Sequence, residues 1–346
     1  MSTGIPVLFI CGSLNQTKMM HKIAIQLERI ENIEAYFTPY YADGFVDLLA
    51  RSRLLQATIL GGRHRRDTLQ YLKEHHLLLD IRGKHEHYAL VVTCSDLIIQ
   101  NNIRGKHLVL VQEGITEPEG LAFQLVKYLR FPRYLANTSA TGLSDAYSVF
   151  CVASEGYKKL FIKKGVKPEK IAVTGIPNFD EMQNHHKNDF PLHDYVLVAT
   201  SPLRETGQLD YRHNFIKNCV TIAASRPLIF KLHPMEKFRR AYREIRTYAP
   251  QARIYTRGNT EHMIANAAAV ITQRSTCTFV ALALQKEVHS YLDLNELKEL
   301  MPLQNNGSSA GNIALICRNL LQLPVVDRQE LKSGLHSILD WKGMHG

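Results

Sequence analysis

Apolar residues fall along this chain in short unbroken runs, each followed by a segment with helical spacing. "PVLFICGS" (6–13) reads as a buried strand that leaves through a Gly-Ser turn. In the next segment, "QTKMMHKIAIQLERI", Met19, Ile23, Leu27 and Ile30 share one helical face. "TILGG" (58–62) reads as a strand and turn, and "YLKEHHLLLDI" as a helix. "YALVVTCSD" (88–96), "HLVLVQEG" (107–114) and "YSVFCVAS" (147–154) read as strands. "EGYKKLFIKKG" (155–165) is a helix closed by Gly165, and "KIAVTGIP" (170–177) is a further strand.

The texture changes at "DEMQNHHKNDFPLHD" (180–194), a polar, proline-containing stretch that reads as a linker. A second alternating series follows. It has "YVLVATSP" (195–202), a helix near 209–224, "PLIFKLHP" (227–234) and a helix near 236–248. "ARIYTR" (252–257), "AAAVITQRST" (267–276), a helix near 277–285 and "EVHSYLD" (287–293) complete it. Continuous runs rich in Val, Ile and Leu mark parallel strands buried on both faces. The pattern predicts an α/β protein of two doubly wound, Rossmann-like domains, 1–182 and 195–326, with a last helix near 327–341. Ligands of such sheets bind beyond the carboxyl ends of the strands, and two facing domains would put the site in a cleft.

Composition narrows the function classes. The 346 residues are 45% hydrophobic and 21% charged, as in ordinary globular proteins. No stretch reaches the roughly 20 apolar residues of a membrane span. The N-terminal apolar run lacks a basic leader region, so it is expected to be a strand rather than a signal peptide. Six cysteines lie far apart with no CxxC pair, which fits reduced thiols in a cytoplasmic protein. The formal charge of +10 is diffuse, densest in the helix after His233. With no zinc-finger spacing and no glycine-aromatic RNA motif, a nucleic-acid partner is not expected.

The informative residues stand at the strand ends. His233-Pro234 and Lys231 close one strand, and a His and a Lys there suit an anion. A bound diphosphate would raise the His233 pKa, and Pro234 suits the first turn of the next helix. In "ITQRSTCTFVALAL", Ser275 or Thr276 suits a helix N-cap, and with Arg274 these residues could hold a phosphate or simply cap the helix. Thr200-Ser201 ends a third strand of the same half. In the first half, Glu113 precedes Gly114 and is a candidate general base or a solvated loop acid, with Glu117 and Glu119 as rivals. Gly12-Ser13 could let a phosphate or an acceptor approach the backbone, but it is not a GxGxxG motif. Asn15, Lys18 and His21 are expected on the surface of the first helix. The adjacent His pairs and "KHEHY" lack metal-ligand spacing, so no metal and no cofactor are expected. "RHRR" (63–66) reads as a basic loop, and "EKFRRAYREIRTY" as an amphipathic helix that could also meet anionic lipid.

Taken together these strand ends resemble the GT-B fold of nucleotide-sugar glycosyltransferases. The resemblance is most specific to bacterial sialyltransferases and capsule polysaccharide transferases. Their acidic-Gly, His-Pro and Ser-Ser/Thr motifs match Glu113-Gly114, His233-Pro234 and Ser275-Thr276 in order. The resemblance implies an inverting, metal-independent glycosyltransferase that uses a nucleotide-activated sugar donor, with a CMP-linked sugar as one candidate, to build a cell-surface polysaccharide or lipooligosaccharide. Glu113 would deprotonate the acceptor, while His233, Ser275 and Thr276 would hold the donor phosphate. It further implies a glycan or lipid-linked acceptor, peripheral association with the inner face of the membrane, and a final helix packed back on the first domain. Gln112 departs from the pattern, standing where an acidic pair often occurs. Glycerophosphate transferases of teichoic-acid synthesis are similar in the second half, with a basic residue shortly before His-Pro. "VTGIPNFDEM" (173–182) also resembles the interdomain segment of UDP-N-acetylglucosamine 2-epimerases, although their acidic and His catalytic set is not evident. A 2-epimerase, a glycerophosphotransferase and a non-catalytic nucleotide-sugar-binding protein are the alternatives.

Overall fold

The computed structural model describes residues 4–44, 46–47, 60–84, 87–114 and 141–323. The chain divides into two units, one of Met1–Asp180 with Pro302–Gly346 and one of Glu181–Met301. The segment 327–341, expected as a final helix, lies outside the described residues.

The first unit is built on a parallel sheet of seven strands in the order β3-β2-β1-β4-β5-β6-β7. Its strands are β1 (Ile5–Cys11), β2 (Ile33–Pro39), β3 (Leu78–Leu79), β4 (Leu90–Thr93), β5 (His107–Val111), β6 (Val149–Val152) and β7 (Ile171–Val173). β4, β5, β6 and β7 are buried along their whole length, which is why they read as unbroken apolar runs. Helix α1 (Leu14–Ile30) buries Met19, Met20, Ile23 and Leu27. Helix α2 (Gly62–Glu74) corrects two expectations. It runs through Arg63–Arg66, read as a loop, and Gly62, read as part of a turn, opens it; residues 58 and 59 of the expected strand lie outside the described residues. Thr68 and Leu72 give it a buried face four residues apart, while Arg65 and Arg66 point to water. The chain then turns at His76 (φ 53°), so Leu78 and Leu79 join the sheet instead of extending the helix. Helix α3 (Glu155–Lys164) ends on Gly165 at φ 108°, where a side chain would be strained.

The second unit carries a parallel sheet of five strands in the order β10-β9-β8-β11-β12. These are β8 (Val196–Ala199), β9 (Leu228–Lys231), β10 (Arg253–Tyr255), β11 (Ala269–Thr272) and β12 (Glu287–His289). Helices α4 (Arg212–Ala223), α5 (Phe238–Tyr248), α6 (Thr260–Asn266), α7 (Cys277–Ala283) and α8 (Leu294–Glu299) connect or flank them. Phe215, Ile216, Cys219, Phe230, Ala241 and Ile245 form the core on one face. The polar stretch read as a linker is tied down here. Asn188 and Asn266 exchange hydrogen bonds of 2.9 and 3.1 Å, and Asn266 also donates to Phe190 O.

From Pro302 the chain belongs to the first unit, although the sequence pattern assigned everything to residue 326 to the second. Helix α9 (Ser309–Leu321) packs on α1 through an apolar face that includes Ile313, Ile316, Cys317 and Leu320. Asp180 fixes the return by accepting from the backbone of Asn305 (2.9 Å) and Ser309 (2.8 Å).

Candidate functional site

In an open α/β sheet the place for a ligand is where the strand order reverses, beyond the carboxyl ends. The second unit reverses between β8 and β11. The register aligns Ala199 with both Lys231 and Thr272, so Thr200, Leu232 and Gln273 emerge at one height. The two loops at the switch are hydrogen-bonded to each other. Ser201 Oγ donates to Arg274 O at 3.0 Å and accepts from Arg274 N at 3.3 Å.

Lys231 is 93% buried by the residues around it, at 7% exposure. Among the described residues its Nζ makes one hydrogen bond, a long one of 3.4 Å to Leu232 O, and no carboxylate pairs with it. A buried cation is normally paired, so this one is set up for an anion that arrives from outside.

His233 stands on a turn, not on the helix. Glu236 N donates to His233 O at 3.0 Å and α5 begins only at Phe238, so Pro234 lies in the turn, not in the first helical turn as expected. Three bonds fix His233. Its backbone N–H reaches Thr200 Oγ1 (3.1 Å) and Glu236 Oε2 (3.0 Å), and Met235 N donates to His233 Nδ1 at 3.2 Å. The last bond assigns the ring hydrogen to Nε2, and among the described residues no acceptor takes that N–H, which leaves it able to meet a ligand. Burial lowers the His233 pKa below its ordinary value, and Glu236 only partly opposes this. Desolvation is thus the larger influence on this ring within the fold.

Glu236 is the residue that the sequence reading missed. Its carboxylate also accepts from Thr200 Oγ1 and from Arg212 Nη2 at 2.5 Å, and both charged side chains of that pair are almost fully buried. The signal was weak, an acid three residues after a histidine, because its partners come from β8 and α4. Around this pair, Arg204 grips Glu244 with two bonds of 2.7 and 2.8 Å, and Arg240 holds Glu205 at 2.5 Å. These ties hold the loop after β8 against α5.

Ser275 caps α7 locally, accepting from Cys277 N at 3.2 Å. Thr276 is exposed and makes no side-chain cap bond, and the helix is only seven residues long. Arg274 is exposed, its Nη1 3.5 Å from Gln208 Oε1. Of the expected anion site, Lys231, His233, Thr200, Ser201 and the Arg274–Ser275 backbone are brought together, whereas the Thr276 side chain joins nothing.

In the first unit Glu113 follows β5. Ser13 Oγ donates to its Oε1 at 2.9 Å and Gln16 Nε2 to its Oε2 at 2.5 Å. Ser13 and Gln16 also form the capping box of α1, with Gln16 N on Ser13 Oγ (3.2 Å) and Ser13 N on Gln16 Oε1 (3.2 Å). Gly12 is buried and its carbonyl accepts from Thr68 Oγ1 at 3.2 Å, which places it in the framework instead of at an open phosphate loop. Gly114 O accepts from Gln112 Nε2 at 2.7 Å, and Gln112 Oε1 from Ala153 N at 2.9 Å. The uncharged Gln112 is thus a buried strut between β5 and β6. His21, expected on the surface, is half-buried, with Nδ1 3.1 Å from Tyr71 OH and its ring against His75. Glu117 and Glu119 lie outside the described residues.

A scan against protein-family models finds no match, and a search of curated proteins finds none. Solved structures do match. The UDP-GlcNAc 2-epimerase from Neisseria meningitidis, bound to UDP-GlcNAc, aligns at TM-score 0.54 and 11% identity, over 92% of this chain and 100% of that one. The UDP-GlcNAc 2-epimerase from Methanocaldococcus jannaschii aligns at 0.51 and 14%, over 98% and 100%. The enzyme from Rickettsia bellii aligns at 0.50 and 12%, over 99% of each. The chain therefore has the two-domain, parallel-sheet GT-B architecture that these enzymes share. The expectation of a glycosyltransferase is corrected: these three solved structures are UDP-GlcNAc 2-epimerases, isomerases and not glycosyltransferases.

Proposed function

We propose that this chain is a nucleotide-sugar isomerase of the 2-epimerase type, acting on a UDP-linked N-acetylhexosamine. The observation that carries the reading is Lys231, buried and with no carboxylate partner among the described residues, close to His233 where β9 ends beside β8. A diphosphate supplies the missing negative charge, and the likeness to structures that hold UDP-GlcNAc supports a uridine nucleotide. Thr200, Ser201 and Glu236 set the loops and leave Lys231, His233 and the Arg274 guanidinium to meet the phosphates.

Inverting a sugar at carbon 2 breaks its C–H bond. The electron pair can form a C1=C2 double bond as UDP leaves with the electrons of the C1–O bond. Re-addition of UDP to carbon 1, with a proton delivered to the opposite face of carbon 2, gives the epimer. A base must take the proton and a donor must return one. The reading gives the first of these roles to Glu113, which Ser13 and Gln16 hold in one orientation. Such an enzyme prepares nucleotide sugars for glycan assembly. The test uses UDP-GlcNAc alone in D2O, followed by NMR. The expected result is the C2 epimer carrying solvent deuterium at that carbon. UDP-GlcNAc that returns unchanged and undeuterated, with no binding of UDP by titration, overturns the reading.

A further inference from the structure

Among the described residues, helix α5 presents an exposed outer arc. Ala241 and Ile245 face the core. At 100° per residue, Phe238 and Tyr242 flank that buried face, and Arg246, Arg239 and Arg243 follow on the side toward water. Phe238 and Tyr242 are 50% and 41% exposed, with ring centroids 5.5 Å apart, and Met235 just before the helix is 57% exposed. Arg246 lies over the Tyr242 ring at 5.2 Å and donates to Pro250 O, which fixes the aromatic edge. Arg239 and Arg243 are exposed, and no hydrogen bond or ion pair holds their guanidinium groups among the described residues.

The acids nearest this arc are already neutralised. Glu244, the one acid of α5, is held by Arg204, and Glu205 by Arg240 and by Lys237 N. The arc is thus aromatic along one edge, cationic along the other, and free of unpaired acids. Large apolar side chains next to arginines form the pattern that lies in a headgroup layer, with rings entering the acyl boundary and guanidinium groups on lipid phosphates. We propose that the outer arc of α5, with Met235, docks on an anionic lipid bilayer. A nucleic acid would engage the arginines but leave Met235 and Phe238 in water, so the apolar edge favours lipid. This inference stands on α5 alone and does not depend on which sugar the protein handles.

The test is co-sedimentation of the full chain with vesicles of phosphatidylcholine, with and without phosphatidylglycerol. Binding is expected only to the anionic vesicles and should weaken as salt is added. Each surface arginine is worth about fivefold near such a membrane, so Arg239→Ala with Arg243→Ala should weaken binding about thirtyfold. Phe238→Ala should also weaken it, and Phe238→Trp should be quenched by bromine-labelled acyl chains. Unchanged melting curves by circular dichroism would show that the variants fold. Equal sedimentation with neutral vesicles, wild-type binding by the arginine pair variant, or no vesicle binding at all each overturns the proposal. Loss of binding to an RNA oligonucleotide in that variant, with vesicle binding at the wild-type level, would assign the arc to nucleic acid instead and overturn it too.

Discussion

Ser13 Oγ donates to Glu113 Oε1 across 2.9 Å while accepting the N–H of Gln16. One hydroxyl therefore starts a helix and aims a carboxylate. Because both of its roles are filled, its hydrogen has one orientation, and the candidate base cannot swing without disturbing the first turn of α1. Gln16 repeats the arrangement, with its oxygen on the cap and its nitrogen on Glu113. The capping box is the frame on which Glu113 is held.

Ser13→Ala should consequently act twice. Loss of an N-cap costs about 0.5–2 kcal/mol, read as a shift in urea midpoint. Turnover should fall as well, because Glu113 loses a fixed donor. Ser13→Thr should restore most of both. Glu113→Gln should keep the fold and lower turnover about 10²–10⁴-fold with UDP affinity retained. If Ser13→Ala changes stability but leaves the turnover and its pH profile untouched, the bond to Glu113 has no part in the chemistry.

Glu236 is expected to be the most sensitive residue of the second unit. Glu236→Ala leaves Arg212 buried without its counter-charge, and breaking one side of such a pair typically costs about 3–5 kcal/mol. It also releases Thr200 and the His233 backbone. Exchange of Arg212 and Glu236 together, for Met and Leu, should recover much of the stability but not the nucleotide affinity. A single Glu236→Ala variant with wild-type urea midpoint and wild-type UDP titration would contradict this arrangement.

The strand ends were legible because a parallel strand buried on both faces has no polar residues until it leaves the sheet. Lys231-Leu-His233 and Val111-Gln112-Glu113 announce themselves in that way. β2 was missed because Glu34 and Thr38 break its apolar run; Thr38 is nevertheless buried, satisfied by bonds to Pro39 O and Arg82 N. α2 was misread because its basic residues outnumber the two that face inward. Glu236, Arg212 and Gln16 were invisible for a different reason. Their roles depend on partners from other elements, and spacing along one segment carries no record of those.

The acid limb of stability follows from the histidines. Burial lowers the pKa of His233, and burial likewise lowers those of His21 and His185. A neutral histidine in the fold and a protonated one in the unfolded chain means that the unfolded state binds more protons. Stability is therefore full above about pH 6.5 and declines as pH falls below that value toward the lowered folded pKa. His233→Gln should make this decline shallower, measured as urea midpoint against pH. A decline of unchanged steepness would show that His233 is not held neutral by the fold. In the same variant UDP binding should weaken on the order of tenfold, for one lost hydrogen bond to a charged group.

Lys231 allows a sharper separation of binding from structure. A buried positive charge with no carboxylate partner among the described residues is a burden on the free protein, since none of them offsets its desolvation. Lys231→Met keeps the chain length and most of the volume while removing the charge. If the side chain is there for a phosphate, the free variant should be as stable as wild type or more stable. UDP affinity should meanwhile fall by about 1.5–3 kcal/mol, or roughly ten- to a hundredfold. UDP should also raise the melting midpoint of wild type and not that of the variant, because a ligand stabilises only the state it binds. The opposite pattern, a clear loss of stability with UDP affinity intact, would make Lys231 part of the scaffold. It would then remove the residue on which the anion site of the second unit chiefly rests.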